Sequence, residues 1–369
     1  MARACVAACM ALLACSLDAQ QPDLIFKELN SNNAPGAAVL ALQNGRVLFE
    51  RGYGLANLTT GERTTPVTNF RLASVTKQFT AMAVMLLVHD GKLRYDEKLT
   101  DVFPDFPRYG DAIRMRNLLN HTSGLQDYED LMDQHHWDAS RQISDAGVLG
   151  LLKQTSGTKF PPGTRFEYSN SGYVLLGLVV QKVSGEPFGA FLHDRIFRPL
   201  GMTGTLAYEK GKNEVPHRAY GYTQEAGAWK ETDQSPTSAT LGDGGVYSSV
   251  VDLAKWFSAL DSFRLLSRAE MAPAWTPVPP DTAVAMDGVT AGYGFGWAID
   301  AMDGFRRMWH YGETVGFRTN VQRFPERRLS VVVLENRTEP NPGELAARLA
   351  RVYVVRPAGG QQASPASAR

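Results

Sequence analysis

A long apolar helix with a serine at its N-terminal end is the feature that most constrains this chain. Residues 71–80 read Arg-Leu-Ala-Ser-Val-Thr-Lys-Gln-Phe-Thr, and the apolar run 81–88 follows without a break. Because apolar residues extend around nearly all sides, the pattern predicts a helix buried in the middle of a domain. The helix is predicted to end at Gly91, since glycine commonly terminates helices. The rest of the chain must pack around it.

Ser74 and Lys77 lie three residues apart at the start of this helix. Residues at that spacing share one helix face, so the Lys77 amine can reach the Ser74 hydroxyl. The helix N-terminus adds unpaired N–H groups and a partial positive charge. A nucleophilic serine needs a proton acceptor and donors for an oxyanion, and this segment offers parts of both. The alternative is that Ser74 is an ordinary helix N-cap.

The same Ser-x-x-Lys spacing occurs a second time, at Ser156 and Lys159. Gly157 and the Phe-Pro-Pro-Gly sequence at 160–163 disfavour a helix there. Without a helical turn, Lys159 has no reason to face Ser156. We therefore interpret the second copy as a coincidence in a loop.

The composition excludes nucleic acid as a partner. The chain has 369 residues, of which 44% are hydrophobic and 21% charged, as in a globular protein with a large core. The 38 Lys plus Arg residues balance 38 Asp plus Glu residues, so the net charge is +0. With no basic run in the sequence, nothing would attract a polyanion.

The N-terminal residues predict an export signal, residues 1–19. Arg3 precedes the apolar segment 4–17, which is too short to span a bilayer securely. All of the cysteines lie in this segment: Cys5, Cys9 and Cys15. A mature chain would therefore contain no disulfide and no thiolate ligand for a metal. We expect an exported protein, periplasmic or secreted.

A lipid anchor is the alternative use of the same segment. Residues 12–15, Leu-Leu-Ala-Cys, resemble a bacterial lipoprotein cleavage box, which would leave Cys15 as the lipidated N-terminus. No later apolar run is long enough for a membrane helix. The sequence leaves the type of signal and the oligomeric state open.

Two β regions, far apart in the chain, predict one shared sheet. Ala37–Gln43 and Arg46–Gly52 flank Asn44-Gly45, a dipeptide favoured in two-residue hairpin turns. Further strands are predicted at 293–300, 305–311, 317–324 and 329–336. Neither region is large enough for a core of its own. We therefore expect a single antiparallel sheet of about five or more strands, covered by helices.

The segment between the β regions has helical periodicity. Helices are predicted at 113–120, 144–154, 170–183, 187–197 and 252–260, with a C-terminal helix at 343–355. The fold class is thus α/β of the α+β type, with an inserted, mostly helical domain. The predicted parts are a discontinuous α/β domain (20–104 and 286–355), a helical domain (105–285) and a disordered tail (356–369). The Ser74 helix would lie where the two domains meet, a common place for ligand sites.

Three further segments carry side chains suited to hydrolysis. Tyr168 could relay a proton beside a lysine, and Asn170 could hold a substrate amide or ester. His310 and Gly312 end a strand, where glycine lets a substrate approach the backbone and an N–H could complete an oxyanion hole. The structural alternatives are a half-buried Tyr168, an N-cap at Asn170 and an exposed His310. The third segment, residues 118–124, contains His121, which we interpret as a structural hydrogen-bonding residue and not as a catalytic one.

Taken in order, Ser74-x-x-Lys77, Tyr168-x-Asn170 and His310-x-Gly312 resemble the serine β-lactamase and penicillin-binding protein superfamily. The nearest branch contains class C β-lactamases, DD-peptidases and related carboxylesterases. Further similarity covers residues 118–125, 162–173, 199–202 and 244–249, within a matching span of roughly 22–355. The resemblance implies a β-lactamase/transpeptidase-like fold, which is the α+β arrangement already predicted.

The resemblance also implies catalytic roles. Ser74 would attack a carbonyl and become acylated. Lys77 and Tyr168 would together move the proton, with the choice of general base left open. Water would then release the acyl group. The family needs no cofactor and no metal, and the partner is a small-molecule or peptide substrate.

The remaining site residues would bind the substrate. The resemblance assigns Asn170, His310 and Gly312 to substrate binding, and the backbone N–H groups of Ser74 and Glu313 to the oxyanion hole. The third motif departs from the Lys-Thr-Gly of most β-lactamases. A largely neutral His310 replaces the lysine, and Glu313 adds a negative charge, which weakens the case for efficient β-lactam turnover.

The predicted function is hydrolysis of an ester or amide through an acyl-Ser74 intermediate, with D-amino-acid peptides or β-lactams among the candidate substrates. One alternative is a penicillin-binding sensor, or another binding protein, that is acylated at Ser74 and does not turn over. A Ser–His–Asp hydrolase with His310 as its base is disfavoured. The sequence lacks a Gly-x-Ser-x-Gly elbow, and Lys77 fits the role of base better.

Overall fold

A computed structural model describes residues 22–278, 284–286 and 289–354 of the protein. The predicted leader at 1–19, including Cys15, and the predicted tail at 356–369 lie outside these residues. No helix among the described residues is both long and apolar enough to cross a bilayer.

Strands from both ends of the chain build one large sheet. Its order is β10-β11-β12-β13-β14-β15-β1-β2, and all neighbouring strands are antiparallel. In chain order the strands are β1 (Ala37–Gln43), β2 (Arg46–Tyr53), β3 (Leu55–Asn57), β4 (Glu62–Arg63), β5 (Phe70–Arg71), β6 (Leu206–Ala207), β7 (Tyr222–Glu225), β8 (Ala228–Glu231), β9 (Val246–Ser248), β10 (Val284–Met286), β11 (Val289–Tyr293), β12 (Ala298–Met302), β13 (Phe305–Thr314), β14 (Phe317–Phe324) and β15 (Leu329–Glu335). The predicted antiparallel sheet shared by the two β regions is confirmed, with eight strands. Three small sheets accompany it: β3-β4, β5-β9-β6 and β7-β8.

Helices cover both faces of this sheet. The α-helices are α1 (Lys77–His89), α2 (Leu99–Val102), α3 (Met115–Leu119), α4 (Tyr128–Gln134), α5 (Asp145–Gln154), α6 (Asn170–Ser184), α7 (Phe188–Leu192), α8 (Arg198–Leu200), α9 (Val250–Ser262), α10 (Arg268–Met271) and α11 (Pro342–Val354). Shorter 3₁₀ turns occur at Leu24–Leu29, Ala73–Thr76, Arg108–Ala112, Ala272–Trp275 and Pro325–Arg327, and a π-helical turn at His193–Phe197. The predicted division at 104/105 and 285/286 into two domains stays a prediction.

Strand β15 shows how the sheet separates two cores. Successive strand residues point to opposite faces. Val332 and Leu334 join the core that contains α1, whereas Val331 and Val333 pack with the C-terminal helix α11. All seven residues of β15 are buried, which explains why residues 329–334 read as a central strand without alternating polarity.

The sequence prediction of one strand at 293–300 is wrong, because a turn divides it into β11 and β12. Gly296 lies in this turn with φ +75°, a conformation that favours glycine. A Cβ atom there would lie 2.9 Å from the Lys77 carbonyl oxygen. The turn thus packs directly against the start of α1 and leaves no room for a side chain.

A buried carboxyl group in β15 predicts a pH-dependent stability. Glu335 is 0% exposed, and neither of its oxygens has a hydrogen-bond partner among the described residues. Burial raises its pKa well above the ordinary value of 4.5. The folded state therefore binds this proton more tightly than the unfolded state, and stability falls as pH rises above about 4.5 towards the folded-state pKa.

We expect Glu335→Gln to raise the free energy of unfolding at pH 7, because the amide needs no proton in order to be buried. The gain is at most about 3 kcal/mol, since each pH unit above 4.5 adds no more than about 1.4 kcal/mol. At pH 5 the gain shrinks below about 1 kcal/mol. Urea unfolding at both pH values measures it, with the exposed Glu344→Gln as the control. An equal effect of Glu335→Gln at both pH values would contradict the assignment.

Candidate active site

Ser74 lies in the 3₁₀ turn that leads into α1. It is the one residue between 68 and 87 that is not buried, so its side chain faces a cavity. Ala73, directly before it, has φ 47°, in the left-handed region that costs an alanine about 1–2 kcal/mol. The backbone is thus held in an unfavourable conformation immediately before the exposed serine.

The large sheet holds this turn in place. Thr319 of β14 donates its hydroxyl to the Leu72 carbonyl at 2.8 Å. A Cβ atom at Gly312 of β13 would lie 2.2 Å from the same carbonyl oxygen and 3.2 Å from the Ala73 Cβ. Gly312 is therefore the position where strand and turn approach too closely for a side chain, which fixes Ser74 relative to β13.

Lys77 is the next residue of the site and is fully buried. Its ammonium donates to Ser74 Oγ at 3.0 Å, to Asn170 Oδ1 at 2.8 Å and to the Asp243 carbonyl at 3.0 Å. The three acceptors match the three N–H bonds of an ammonium. Each comes from a different part of the chain, so the lysine connects α1, α6 and the loop before β9.

Burial lowers the pKa of Lys77 to about 8, although Asp243, Asp127 and Glu129 favour its charged form. About a tenth of the amine is therefore neutral at pH 7, compared with roughly one part in 3,000 at the ordinary lysine pKa. A neutral amine has two N–H bonds, which Asn170 and Asp243 accept, and one lone pair. That lone pair then faces the Ser74 hydroxyl, which is the geometry of a general base.

Tyr168 completes the group around the serine. Its hydroxyl hydrogen-bonds to the Ser74 side chain, and its ring lies 5.0 Å from Lys77 Nζ. Burial raises the pKa of Tyr168 above its ordinary value, a larger effect than the opposing hydrogen bond to Ser74. The phenol is thus protonated at neutral pH and suited to passing a proton on, rather than to removing one first.

Asn170 is the first residue of α6, and the N-cap is Ser169. The structural alternative of an N-cap at Asn170 is therefore wrong by one residue. The Asn170 side chain accepts from Lys77 and donates from Nδ2 to Glu129 Oε1 at 3.2 Å. Its backbone N–H donates to Asp127 Oδ2 at 2.6 Å.

His310 is close to the site but is 0% exposed, so the alternative of an exposed turn histidine is wrong. Its Nδ1 lies 2.6 Å from the Tyr311 carbonyl oxygen and must carry the proton. Its Nε2 therefore accepts from the Tyr293 hydroxyl at 3.0 Å. Burial lowers the pKa of His310 to about 3, and with both nitrogens engaged the geometry does not support a Ser–His triad.

His121 is buried among aromatic rings, 4.3 Å from the Tyr168 ring and 4.6 Å from the Tyr293 ring, measured between centroids. Its Nδ1 accepts from the Ser169 N–H at 3.2 Å. Burial keeps its pKa well below the ordinary value. These contacts position the Tyr168 ring, in line with the structural interpretation.

An open cavity lies in front of Ser74. Carboxylates dominate its charged lining, which consists of Glu129, Asp243, Glu313 and Arg71. Glu313 forms an ion pair with Arg318 at 2.7 Å, which offsets the negative charge expected from the sequence. Sequence reasoning missed Glu129 and Asp243. For Glu129 the available signal was the acidic Asp127-Tyr128-Glu129 sequence, which follows the 118–125 motif after one residue.

The second Ser-x-x-Lys sequence has none of these features. It follows α5 in an irregular segment, and Lys159 forms its ion pair with Glu167. Among the described residues, no group of three or more His, Cys, Asp or Glu side chains could hold a metal ion.

Comparisons with known proteins identify the family of this chain. A sequence model of the Beta-lactamase family matches residues 3–355. Penicillin-binding protein 4* of Bacillus subtilis is 30% identical over 346 residues, covering 90% of this chain and 74% of the relative. A D-aminopeptidase of Gluconobacter oxydans is 30% identical over 307 residues, covering 82% of this chain and 56% of the relative, so the chain spans little more than half of that protein.

Solved structures show the same fold. The D-amino acid amidase of Ochrobactrum anthropi SV3 has a TM-score of 0.76 and 25% identity, covering 90% of this chain and 96% of the amidase. The fold is thus that of the β-lactamases and transpeptidases, as predicted. The chain belongs to the Beta-lactamase family and is a serine hydrolase.

Proposed function

We propose that this hydrolase cleaves an ester or amide through a covalent acyl-Ser74 intermediate. The observation that carries the proposal is the 3.0 Å contact between Lys77 Nζ and the Ser74 hydroxyl, at the wall of an open cavity. The strained turn at Ala73 and the close approach of Gly312 hold the hydroxyl in place. The named activities of the D-aminopeptidase and the D-amino acid amidase, both amide hydrolases, support the same reaction class.

The proposed reaction has two steps. Ser74 Oγ bonds to the substrate carbonyl carbon while Lys77 takes the serine proton. That proton then passes from Lys77 by way of Tyr168 to the leaving alcohol or amine as its bond to the carbonyl carbon breaks. In the second step a water oxygen bonds to the acyl carbon, one water proton passes to Ser74 Oγ as the ester bond breaks, and the acid is released. The backbone N–H groups of Ser74 and Glu313 are the proposed oxyanion donors, since both residues line the cavity.

The other sequence-predicted residues have supporting roles in this proposal. Asn170 orients Lys77 and contacts the substrate from the cavity wall. Gly312 lets β13 approach the serine turn. The His310 side chain is buried and hydrogen-bonds to Tyr293. In this proposal it therefore does not contact the substrate itself but positions Tyr293 and the backbone of β13 next to the cavity. Efficient β-lactam turnover is not proposed, because a neutral His310 supplies no cation for the substrate's carboxylate.

Turnover separates the hydrolase from the alternative of a sensor acylated at Ser74. We expect p-nitrophenyl acetate to give an acetyl adduct on the peptide that contains Ser74, seen by mass spectrometry during the reaction. The adduct disappears once the substrate is consumed. A panel of nitrocefin, short esters and D-Ala-D-Ala peptides run in parallel defines the preferred acyl group. An adduct that persists after substrate removal, with every substrate, would favour the sensor.

The proposal also includes export, with residues 1–19 as a cleaved signal or Cys15 as a lipid anchor. N-terminal sequencing and mass measurement of the protein from a membrane and a periplasmic fraction distinguish the two. An intact Met1 in both fractions would count against export.

A further inference from the structure

An open groove lies between the C-terminal helix α11 and strands β13 and β14. Arg307 and Trp309 of β13 line it, together with Gln322 of β14. Successive strand residues point to opposite faces of a sheet, and Gly312, an odd number of residues from both Arg307 and Trp309, approaches the Ser74 turn. The groove is therefore on the opposite face of the sheet from the catalytic cavity, and none of the described residues lines both.

Buried polar side chains form the floor of this groove. Arg307 is 9% exposed, and Asn320 and Gln322 are each 1% exposed. Directly beside Gln322, on the same sheet face, Val331 and its neighbour Val333 pack into the apolar core under α11. Because burial of polar groups costs free energy unless they have partners, the change from valines to an arginine and amides favours a surface that contacts polar molecules.

Arg307 keeps one nitrogen available for a ligand. Its Nε and Nη2 donate to Asp300 Oδ1 and Oδ2 at 2.9 and 2.6 Å, which fixes the plane of the guanidinium. Its Nη1 lies 3.5 Å from Gln322 Oε1, beyond the usual range for N–H···O bonds, and 3.7 Å from the Met302 sulfur, a weak acceptor. The guanidinium is thus oriented by Asp300 and has N–H bonds that an anion in the groove can accept.

Helix α11 contributes two more arginines. Arg348 and Arg351 are three residues apart, so they share one helix face, and both line the groove. Arg348 is exposed and forms no ion pair among the described residues, whereas Arg351 pairs through Nε with Asp303 at 3.0 Å. Of the described residues that line the groove, only Glu344 is acidic, and it forms no ion pair with Arg348. Three cations therefore face one carboxylate.

We propose that this groove is a second ligand site, which binds a small organic dianion, either a phosphate monoester or a dicarboxylate. Arg348 and Arg351 contact the charged oxygens from the helix side, and Arg307 Nη1 contacts them from the sheet side. Guanidinium groups suit this role because their paired N–H bonds match the geometry of carboxylate and phosphate oxygens. The site does not depend on the proposed acyl-Ser74 function, since the sheet separates it from the catalytic cavity.

Binding of defined anions tests the proposal. Glycerol 3-phosphate and succinate are titrated into the wild-type protein by isothermal titration calorimetry at constant ionic strength, with acetate as the singly charged control. We expect a Kd below about 1 mM for at least one of the two dianions. Acetate should bind at least about 10-fold more weakly, because it makes fewer charge-assisted contacts. The tighter of the two dianions shows whether the site prefers phosphate or carboxylate groups.

Variants of exposed residues locate the bound anion. Arg348→Gln and Arg351→Gln should each raise the Kd about 10-fold, since each loses a charge-assisted contact. Glu344→Gln should lower the Kd about 2-fold or more, because it removes the carboxylate that repels the ligand. The matched control is Arg108→Gln, which removes an exposed arginine outside the groove and should leave the Kd within about 2-fold of wild type.

Three results would overturn the proposal. The first is no binding of either dianion up to about 10 mM, by calorimetry and by the shift in the midpoint of thermal unfolding. The second is binding that Arg348→Gln and Arg351→Gln leave unchanged, since the anion would then lie elsewhere. The third is an equal loss in these variants and in Arg108→Gln, which would mean that the anion responds only to net charge. Circular dichroism of each variant checks that it is folded.

Discussion

Ser74→Ala lowers kcat/KM for short p-nitrophenyl esters by about 10⁵-fold or more and abolishes labelling by a fluorophosphonate or a fluorescent penicillin. The expected size follows from removal of the oxygen that we propose forms the acyl-enzyme bond, as in other serine hydrolases. The change is small and faces the cavity, so the fold should be unaffected. Ester hydrolysis, intact-protein mass spectrometry and circular dichroism measure the three effects.

The chain contains its own control for this experiment. Ser156→Ala and Lys159→Ala alter a sequence with the same spacing, in an irregular segment where Lys159 pairs with Glu167. Both variants should retain wild-type labelling and turnover within about 2-fold, as is usual for surface substitutions. Retained ester hydrolysis in Ser74→Ala would remove Ser74 as the nucleophile, whatever the control variants show.

Lys77→Met is expected to lower kcat/KM by about 10³-fold, because the methionine fills the volume of the buried lysine without supplying a base. The measurement with the most power is the pH profile. With a Lys77 pKa of about 8, the neutral amine increases as pH rises. The wild-type kcat/KM should therefore be about 50-fold lower at pH 6 than at pH 8. In Lys77→Met this rise of kcat/KM between pH 6 and pH 8 should be absent.

Tyr168→Phe separates the two candidate bases. If Lys77 removes the serine proton, the phenylalanine variant is slower but keeps a profile with its midpoint near pH 8. Since burial raises the pKa of Tyr168 above its ordinary value, a tyrosinate base would instead require activity to rise only at strongly alkaline pH. Circular dichroism of each variant checks that it is folded. If kcat/KM of Lys77→Met still rose between pH 6 and pH 8 as in the wild type, Lys77 would be excluded as the base.

Local patterns in the sequence predicted much of the fold. The hairpin at 37–53 forms around Asn44-Gly45 because its turn depends on two adjacent residues, and the bounds differ from prediction by one residue. The strand predicted at 293–300 failed because its glycines make a turn against α1, a contact that only the packed structure contains. Joining the two β regions also followed from the sequence, since neither could bury its own surface.

The contacts in the site also fall into two groups: those that follow from local sequence and those between residues far apart in the chain. The 3.0 Å contact of Lys77 with Ser74 is a consequence of i, i+3 spacing at a helix start and needed only local sequence. The contacts of Lys77 with Asn170 and with the Asp243 carbonyl cross 93 and 166 residues of chain. Resemblance pointed to Asn170, but nothing in the local pattern identified Asp243 or Glu129.

The sequence by itself pointed to Ser74 as the candidate nucleophile with Lys77 beside it, because helix geometry places residues three apart on one face. It could not determine their chemical state. Only the tertiary structure decided that Lys77 is buried, which lowers its pKa to about 8. It also decided that Ala73 has φ 47° directly before the serine, and that His310 is buried and neutral. Burial and charge are set by neighbours from distant parts of the chain, which local sequence patterns do not contain.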